Sequence, residues 1–146
     1  MFLGQFRHTL DEKGRLMVPA RYREVLLSDG AYITLGLDHN LMLLTSPQFS
    51  LISQRLNAMN LTDPNARAIR RLIFSTAEQV ELDKAGRILI SPYLRELASI
   101  GTETVVVGTG NSIEIWSPGL WDAQMKLLED AEVNATRFSA LDLSTS

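Results

Sequence analysis

Arg15 and Arg87 are the two residues of this chain whose type and spacing could do chemistry. Each closes a six-residue run, Leu10-Asp11-Glu12-Lys13-Gly14-Arg15 and Leu82-Asp83-Lys84-Ala85-Gly86-Arg87, and the second run begins 72 residues after the first. A guanidinium is a planar fork of donors that grips two phosphate oxygens, or O6 and N7 on the edge of guanine. Lys13 and Lys84 stand beside it as point charges suited to a phosphate backbone. A plainer role is open to each arginine, which is to pair with the aspartate of its own run. The turn requires its aspartate and glycine but not its arginine. Function is therefore expected at Arg15 and Arg87, and geometry at Asp11, Gly14, Asp83 and Gly86.

The element that must position them is a tight turn. Asp at the first position accepts backbone N–H bonds, and Gly supplies positive φ at the fourth, the pattern of a type I turn followed by a glycine bulge. Leu10 and Leu16, with Leu82 and Ile88, then flank the turns as inward-facing strand residues. The copies differ in one respect. Lys13 immediately precedes Gly14, whereas Ala85 takes the matching place and Lys84 stands one residue earlier, so equal engagement of the two halves does not follow.

The resemblance between the runs extends along the chain. Overlaying residues 7–49 on 79–121 keeps Leu10, Asp11, Gly14, Arg15, Arg23, Glu24 and Gly36 identical, and the apolar positions track, Met17 answering to Leu89 among others. Such self-similarity reads as an internal duplication. Strand-like runs are expected at Phe2–Leu10, Arg15–Val18, Tyr32–Leu37, Asn40–Thr45, Glu78–Leu82, Arg87–Ile90, Glu103–Val107 and Ser112–Trp116. All five prolines read as first-turn helix residues, four of them behind a cap: Ser46-Pro47, Asp63-Pro64, Ser91-Pro92 and Ser117-Pro118. Helices are expected near 19–27, 47–59, 64–75, 92–99 (ended by Gly101) and 118–131.

A copy of about 50 residues buries too little surface to stand alone, whereas two copies closing a joint barrel would supply a core and remove sheet edges. The fold class expected is α+β, mainly β, with flanking helices. Phe49, Ile52, Leu56 and Met59 form a stripe at helical spacing, as do Trp121, Met125 and Leu128, and both fit core or subunit contacts. The helix after Pro64 carries Arg67, Arg70 and Arg71 and links the halves. The organisation expected is a first half at 1–60, a linking helix at 61–76, a second half at 77–131 and an acidic, mobile tail at 132–146.

The chain has 146 residues, 45% of them apolar, no cysteine and a formal net charge of −3. Disulfides and thiolate metal sites are excluded. No apolar run approaches a membrane span, and the Met-Phe-Leu-Gly start lacks a basic leader, so a cytoplasmic protein without a membrane partner is expected. The charge is uneven. Residues 7–23 hold Arg7, Lys13, Arg15, Arg21 and Arg23 against Asp11 and Glu12, whereas residues 122–146 are acidic by the same margin. A local basic patch is enough to meet phosphates. Catalysis finds no support, since Gly-x-Ser-x-Gly, P-loop and His-x-x-x-His patterns are missing and Gly108-Thr109-Gly110 lacks the third glycine of a dinucleotide site. His8 and His39 stand alone, the first suited to a strand or core role and the second to the Asp38-His39-Asn40 turn. No enzyme, metal, cofactor or small-molecule substrate is expected.

The duplicated Asp-x-x-Gly-Arg turns, each followed by a short helix with a proline, resemble the MraZ family of bacterial transcription regulators from Met1 to about residue 131. The resemblance implies two AbrB/MazE-type swapped-hairpin units interlocking into a double-split β-barrel. It also implies ring-like homo-oligomers that bind repeated double-stranded DNA boxes upstream of the division and cell-wall gene cluster, usually as a repressor associated with the nucleoid. By the same resemblance Arg15 and Arg87 are the principal DNA contacts, with Lys13 and Lys84 beside them; Arg7, in the basic segment, is added as a further candidate. An antitoxin-like protein-interaction module is the alternative, because swapped-hairpin relatives include antitoxins.

Overall fold

The computed structural model describes residues 1–143 and Thr145; Ser144 and Ser146, which belong to the expected tail, lie outside the described residues. Along the described chain the elements run β1 (Gln5–Thr9), β2 (Arg15–Met17), α1 (Ala20–Asp29), β3 (Ala31–Leu35), β4 (Leu41–Thr45), α2 (Ser46–Asn57) and α3 (Pro64–Thr76). They continue as β5 (Glu78–Val80), β6 (Arg87–Leu89), α4 (Pro92–Leu97), β7 (Glu103–Gly108), β8 (Ile113–Trp116), α5 (Pro118–Leu128) and α6 (Ala131–Ala140). The molecule is thus α+β with an antiparallel sheet system, and each expected strand is present, most of them trimmed, with β3 beginning one residue earlier and β7 ending one residue later than expected.

Local chemistry accounts for most helix starts. Asp63, Ser91 and Ser117 accept the N–H of Asn65, Leu94 and Leu120 and cap α3, α4 and α5. Two starts differ from expectation. At α2 the cap is Thr45, whose hydroxyl accepts from Gln48, because β4 runs straight into the helix and makes Ser46 its first residue. Pro19 occupies the cap position of α1 instead of the first turn, without a capping side-chain bond. The end of α4 also differs: Ser99, not Gly101, takes the left-handed conformation, with φ 56°. Its hydroxyl meets His39 Nε2 at 2.8 Å, a contact between the two copies.

Strand pairing crosses between the copies. The larger sheet has the order β1-β7-β8-β4-β3-β5, and β2 pairs with β6 in a separate ribbon. Only β3–β4 and β7–β8 pair within a copy; β1–β7, β2–β6, β3–β5 and β4–β8 join one copy to the other. The two arms of each Asp-x-x-Gly-Arg turn therefore separate beyond the turn and serve different pairings. A flat hairpin ladder does not form, and the partner copy supplies the rigidity that such a ladder would have given.

The exchanged strands enclose one core. Leu16, Ile33, Leu41, Leu43, Ile88, Ile90, Leu94, Ile113 and Ile115 are buried in it, together with Tyr22, whose ring meets Phe2 and Phe6 edge-on at 5.0 and 5.6 Å. The Tyr22 hydroxyl donates to the Leu3 carbonyl, so this buried phenol is satisfied. On the outer side of the sheet, Val105, Val107, Trp116 and Trp121 form a smaller cluster under α5. Tyr32 stacks on Phe49 of α2, and Phe49 meets Phe74 of α3 edge-on. The two helical stripes are covered only in part: Leu56 and Trp121 are buried, but Met59 and Leu128 at the far ends are exposed.

The stretch expected to be a mobile tail carries α6. Asp130 caps it by accepting from Glu132 and Val133, and no residue of it is buried. Local hydrogen bonds, which hydrophobic periodicity does not register, account for this helix.

Leu16 and Ile88 face each other between the copies beneath the ribbon. Leu16→Ala and Ile88→Ala are each expected to cost about 2–5 kcal/mol, read from urea unfolding as a shift of one cooperative transition. Two separate transitions would show that the copies fold independently.

Candidate nucleic-acid interface

The two turns close with the same bonds. In the first, the Asp11 carbonyl accepts from Gly14 at 3.0 Å and the Asp11 N–H donates to the Arg15 carbonyl at 3.0 Å. Asp11 Oδ1 accepts from the Lys13 and Arg15 N–H groups, both at 2.9 Å. In the second, Asp83 Oδ1 accepts from Ala85 at 3.0 Å and Arg87 at 2.9 Å. Gly14 and Gly86 stand at φ 83° and 86°, a region that L side chains avoid.

Each turn is stapled to the other copy. The Gly14 carbonyl accepts from Ile90 and the Gly86 carbonyl from Val18, both at 3.0 Å. An arginine of the opposite copy covers each glycine: a Cβ on Gly14 would lie 2.8 Å from Arg95 Cζ, and one on Gly86 would lie 2.6 Å from Arg23 Nε. Those arginines are themselves held, Arg23 to the Val18 carbonyl and Arg95 to the Ile90 carbonyl. Arg23 and Arg95 are identities of the duplication; sequence reasoning counted Arg23 only in the basic patch and gave Arg95 no role, and their recurrence was the signal available.

Between the turns lies the β2–β6 ribbon, with Arg15 opposite Leu89, Leu16 opposite Ile88 and Met17 opposite Arg87. Leu16 and Ile88 point into the core, so Arg15, Met17, Arg87 and Leu89 share the outward face. Arg15 Nε donates to Asp11 Oδ2 at 2.6 Å, and Arg87 Nε donates to Asp83 Oδ2 at 2.9 Å. Arg87 Nη1 also reaches Asp11 Oδ2, at 3.4 Å. The arginine side chains keep about a third of their surface open, 32% and 29%. Among the described residues, both Nη groups of Arg15 and Nη2 of Arg87 have no protein partner. Each guanidinium is thus anchored through Nε while its outer edge can still bind. Lys13 and Lys84 are exposed on the turns.

Both carboxylates are made more acidic by these contacts. The Arg15 backbone N–H, aided by its guanidinium and by Lys13 N–H and opposed by desolvation, holds the Asp11 carboxyl at about 2. Asp83 is lowered in the same way, with the Arg87 backbone N–H as the largest cause. Arg7 is not part of this group. It lies on the opposite face of β1 from Phe6 and pairs with Asp122 of α5 at 2.7 Å, both side chains being exposed. His8 is half-buried on β1, and the Arg67, Arg70 and Arg71 face of α3 borders an open groove with Leu61 and Phe74. Among the described residues no cluster of ligating side chains could hold a metal, and no helix is long and apolar enough to cross a membrane.

Two tandem units that exchange strands and share a ribbon with anchored arginines define a duplicated β-ribbon protein with two arginines on its outward face. The chain belongs to the MraZ family. The family described as "MraZ protein, putative antitoxin-like" matches it twice, over residues 1–72 and 73–142, with the period of the duplication. A protein of Thermomicrobium roseum named "Transcriptional regulator MraZ" is 44% identical over 128 residues, covering 88% of this chain and 89% of its own. One of the same name from Desulforamulus reducens is 46% identical over 122 residues, 84% and 85% of the two chains. Another, from Roseiflexus castenholzii, is 38% identical over 139 residues, 95% and 94%.

Gly14→Ala and Gly86→Ala each combine a disfavoured φ with a collision against an arginine, and each is expected to cost more than about 1 kcal/mol in thermal or urea unfolding. A pH dependence follows from Asp11. Its folded-state carboxyl lies below the ordinary value of 3.8, so its stabilisation is complete above that value and lost as pH falls through about 2. Wild type is expected to lose urea resistance across this acid window more steeply than Asp11→Asn; equal slopes would remove Asp11 from the acid response.

Proposed function

We propose that this protein is a sequence-specific DNA-binding transcriptional regulator, acting as a repressor on repeated boxes upstream of the division and cell-wall gene cluster. The observation that carries this reading is the β2–β6 ribbon, whose outward face holds two arginines anchored through Nε, with both Nη groups of Arg15 and Nη2 of Arg87 free of protein partners among the described residues. A two-stranded ribbon fits the major groove, and an arginine presenting two nitrogens end-on can meet guanine O6 and N7. Anchoring by Asp11 and Asp83 reduces the conformational freedom lost on binding. Lys13 and Lys84 position the ribbon on phosphates. The Arg7–Asp122 pair lies on another face, so Arg7 takes at most a peripheral phosphate contact here. The names of the relatives agree with regulation of transcription.

In this reading the halves at 1–60 and 77–131, linked by 61–76 and followed by the 132–146 tail, interlock as a swapped-hairpin double barrel; the four pairings between copies support it. One ribbon with two base-reading arginines on a chain of net charge −3 binds weakly. A ring-like homo-oligomer set against repeated boxes raises the effective concentration of each further ribbon and turns weak contacts into avidity. The site of action is the cytoplasm, at the nucleoid. A second reading, an antitoxin-like module that binds another protein, is favoured by the family description and by the exposed Leu127, Val133 and Phe138 of the C-terminal helices. Stoichiometric capture of one protein without any DNA shift would select it.

Fluorescence anisotropy with duplexes from the DNA upstream of its own gene tests the first reading. Arg15→Ala and Arg87→Ala are each expected to weaken binding by about 1–3 kcal/mol per lost base contact, and affinity should fall steeply with salt. Wild-type affinity in both variants, or a flat salt titration, would overturn it.

A further inference from the structure

Two apolar side chains share the outward ribbon face with the arginines. The offset that carries Arg15 onto Arg87 carries Met17 onto Leu89. In the register Leu89 stands beside Arg15 across the ribbon, and Met17 beside Arg87. Arg15 and Arg87, on one diagonal of this face, both reach Asp11. Met17, which is half-buried, and Leu89 stand on the other diagonal. Leu89 is 55% exposed, while Ile88 and Ile90 on either side of it are buried. Exposure of a leucine at this place does nothing for the core. Glu78 and Glu81 border the shallow cleft beside Leu89, which makes that corner hostile to a phosphate and suited to an uncharged group.

In the major groove the uncharged apolar feature is the thymine 5-methyl, which apolar side chains contact directly. Side chains directly opposite across an antiparallel ribbon start about 5 Å apart, less than two base-pair steps. We propose that Met17 and Leu89 read thymine 5-methyl groups within about two base pairs of the guanines met by Arg87 and Arg15, so that the recognised element pairs guanine with neighbouring thymine at two pseudo-symmetric places. The inference rests on the DNA-binding reading above and adds to it the residues that set specificity beside the arginines. The arginines alone would accept any neighbour of a guanine; the apolar corners reject cytosine and other bases that present a polar edge there.

The test uses a duplex selected from a random pool by the wild-type protein, compared with the same duplex carrying uracil for thymine, which removes only the methyl groups. Wild type is expected to bind the uracil duplex roughly fourfold more weakly per methyl contacted. Leu89→Ala and Met17→Ala should each bring the thymine-to-uracil affinity ratio towards one. That ratio is taken within a single protein preparation, so loss of folded material cancels. Equal wild-type affinity for the two duplexes, or an unchanged ratio in both variants, overturns the inference. Arg15→Ala separates the two levels: if it loses the selected duplex while uracil makes no difference, thymine reading alone falls. If no duplex is selected, or if Arg15→Ala and Arg87→Ala both bind as wild type, the DNA-binding reading falls and this inference falls with it.

Discussion

The pairing of β2 with β6 is the constraint on which the rest depends. Each strand is three residues long, too short to persist without help, and each is held at its end by the turn of the other copy, through Gly14 to Ile90 and Gly86 to Val18. Those bonds require the turns to approach closely, and the approach requires glycine, because Arg95 and Arg23 occupy the space that a side chain would take. Core, ribbon and arginine placement are therefore coupled. Leu16 and Ile88 seal the core only when the two copies meet, and the same meeting turns Arg15 and Arg87 outward on one face. Because both copies belong to one chain, no translational freedom is lost in bringing them together.

The guanidinium–carboxylate contacts serve orientation more than stability. Partly exposed ion pairs contribute little net free energy, yet the Asp11 and Asp83 carboxylates each bind two backbone N–H groups and one arginine Nε, which sets both the loop and the side chain from a single residue. Their depressed acidity reports that convergence. The two halves are not equivalent: Asp11 receives both arginines, whereas Asp83 receives only Arg87. The freer fork of Arg15 coincides with the lysine that directly precedes Gly14, so the first turn offers more unpaired donors than the second.

Features that depend on a few neighbouring residues were legible in the chain itself. The aspartate–glycine turns, the capped proline starts of α3, α4 and α5, the eight strands and the duplication all express local rules of hydrogen bonding, φ preference and alternation. The misplaced cap at α2 and the left-handed Ser99 arose where one element runs into the next or meets the other copy, which no local pattern encodes. The helix at Ala131–Ala140 escaped notice because side-chain hydrogen bonds hold it and burial does not. Arg7 entered as a further candidate because charge in sequence carries no face; strand alternation and the position of Asp122 set it against α5.

Arg15 and Arg87 show where the division falls. Their residue type, their place after a glycine turn and their recurrence were set by the sequence alone, together with an arginine-rich first segment and an acidic last one. Which strand each would lie against was not, because the two arms of each turn part company and pair with strands 45 to 102 residues away in the chain. The shared outward face of Arg15, Met17, Arg87 and Leu89, the burial of Leu16 against Ile88 and the covering of each glycine by a distant arginine exist only after that exchange. Hydrogen-bond preference acts over a few residues, whereas the face a strand presents is decided by whichever partner it finds across the fold.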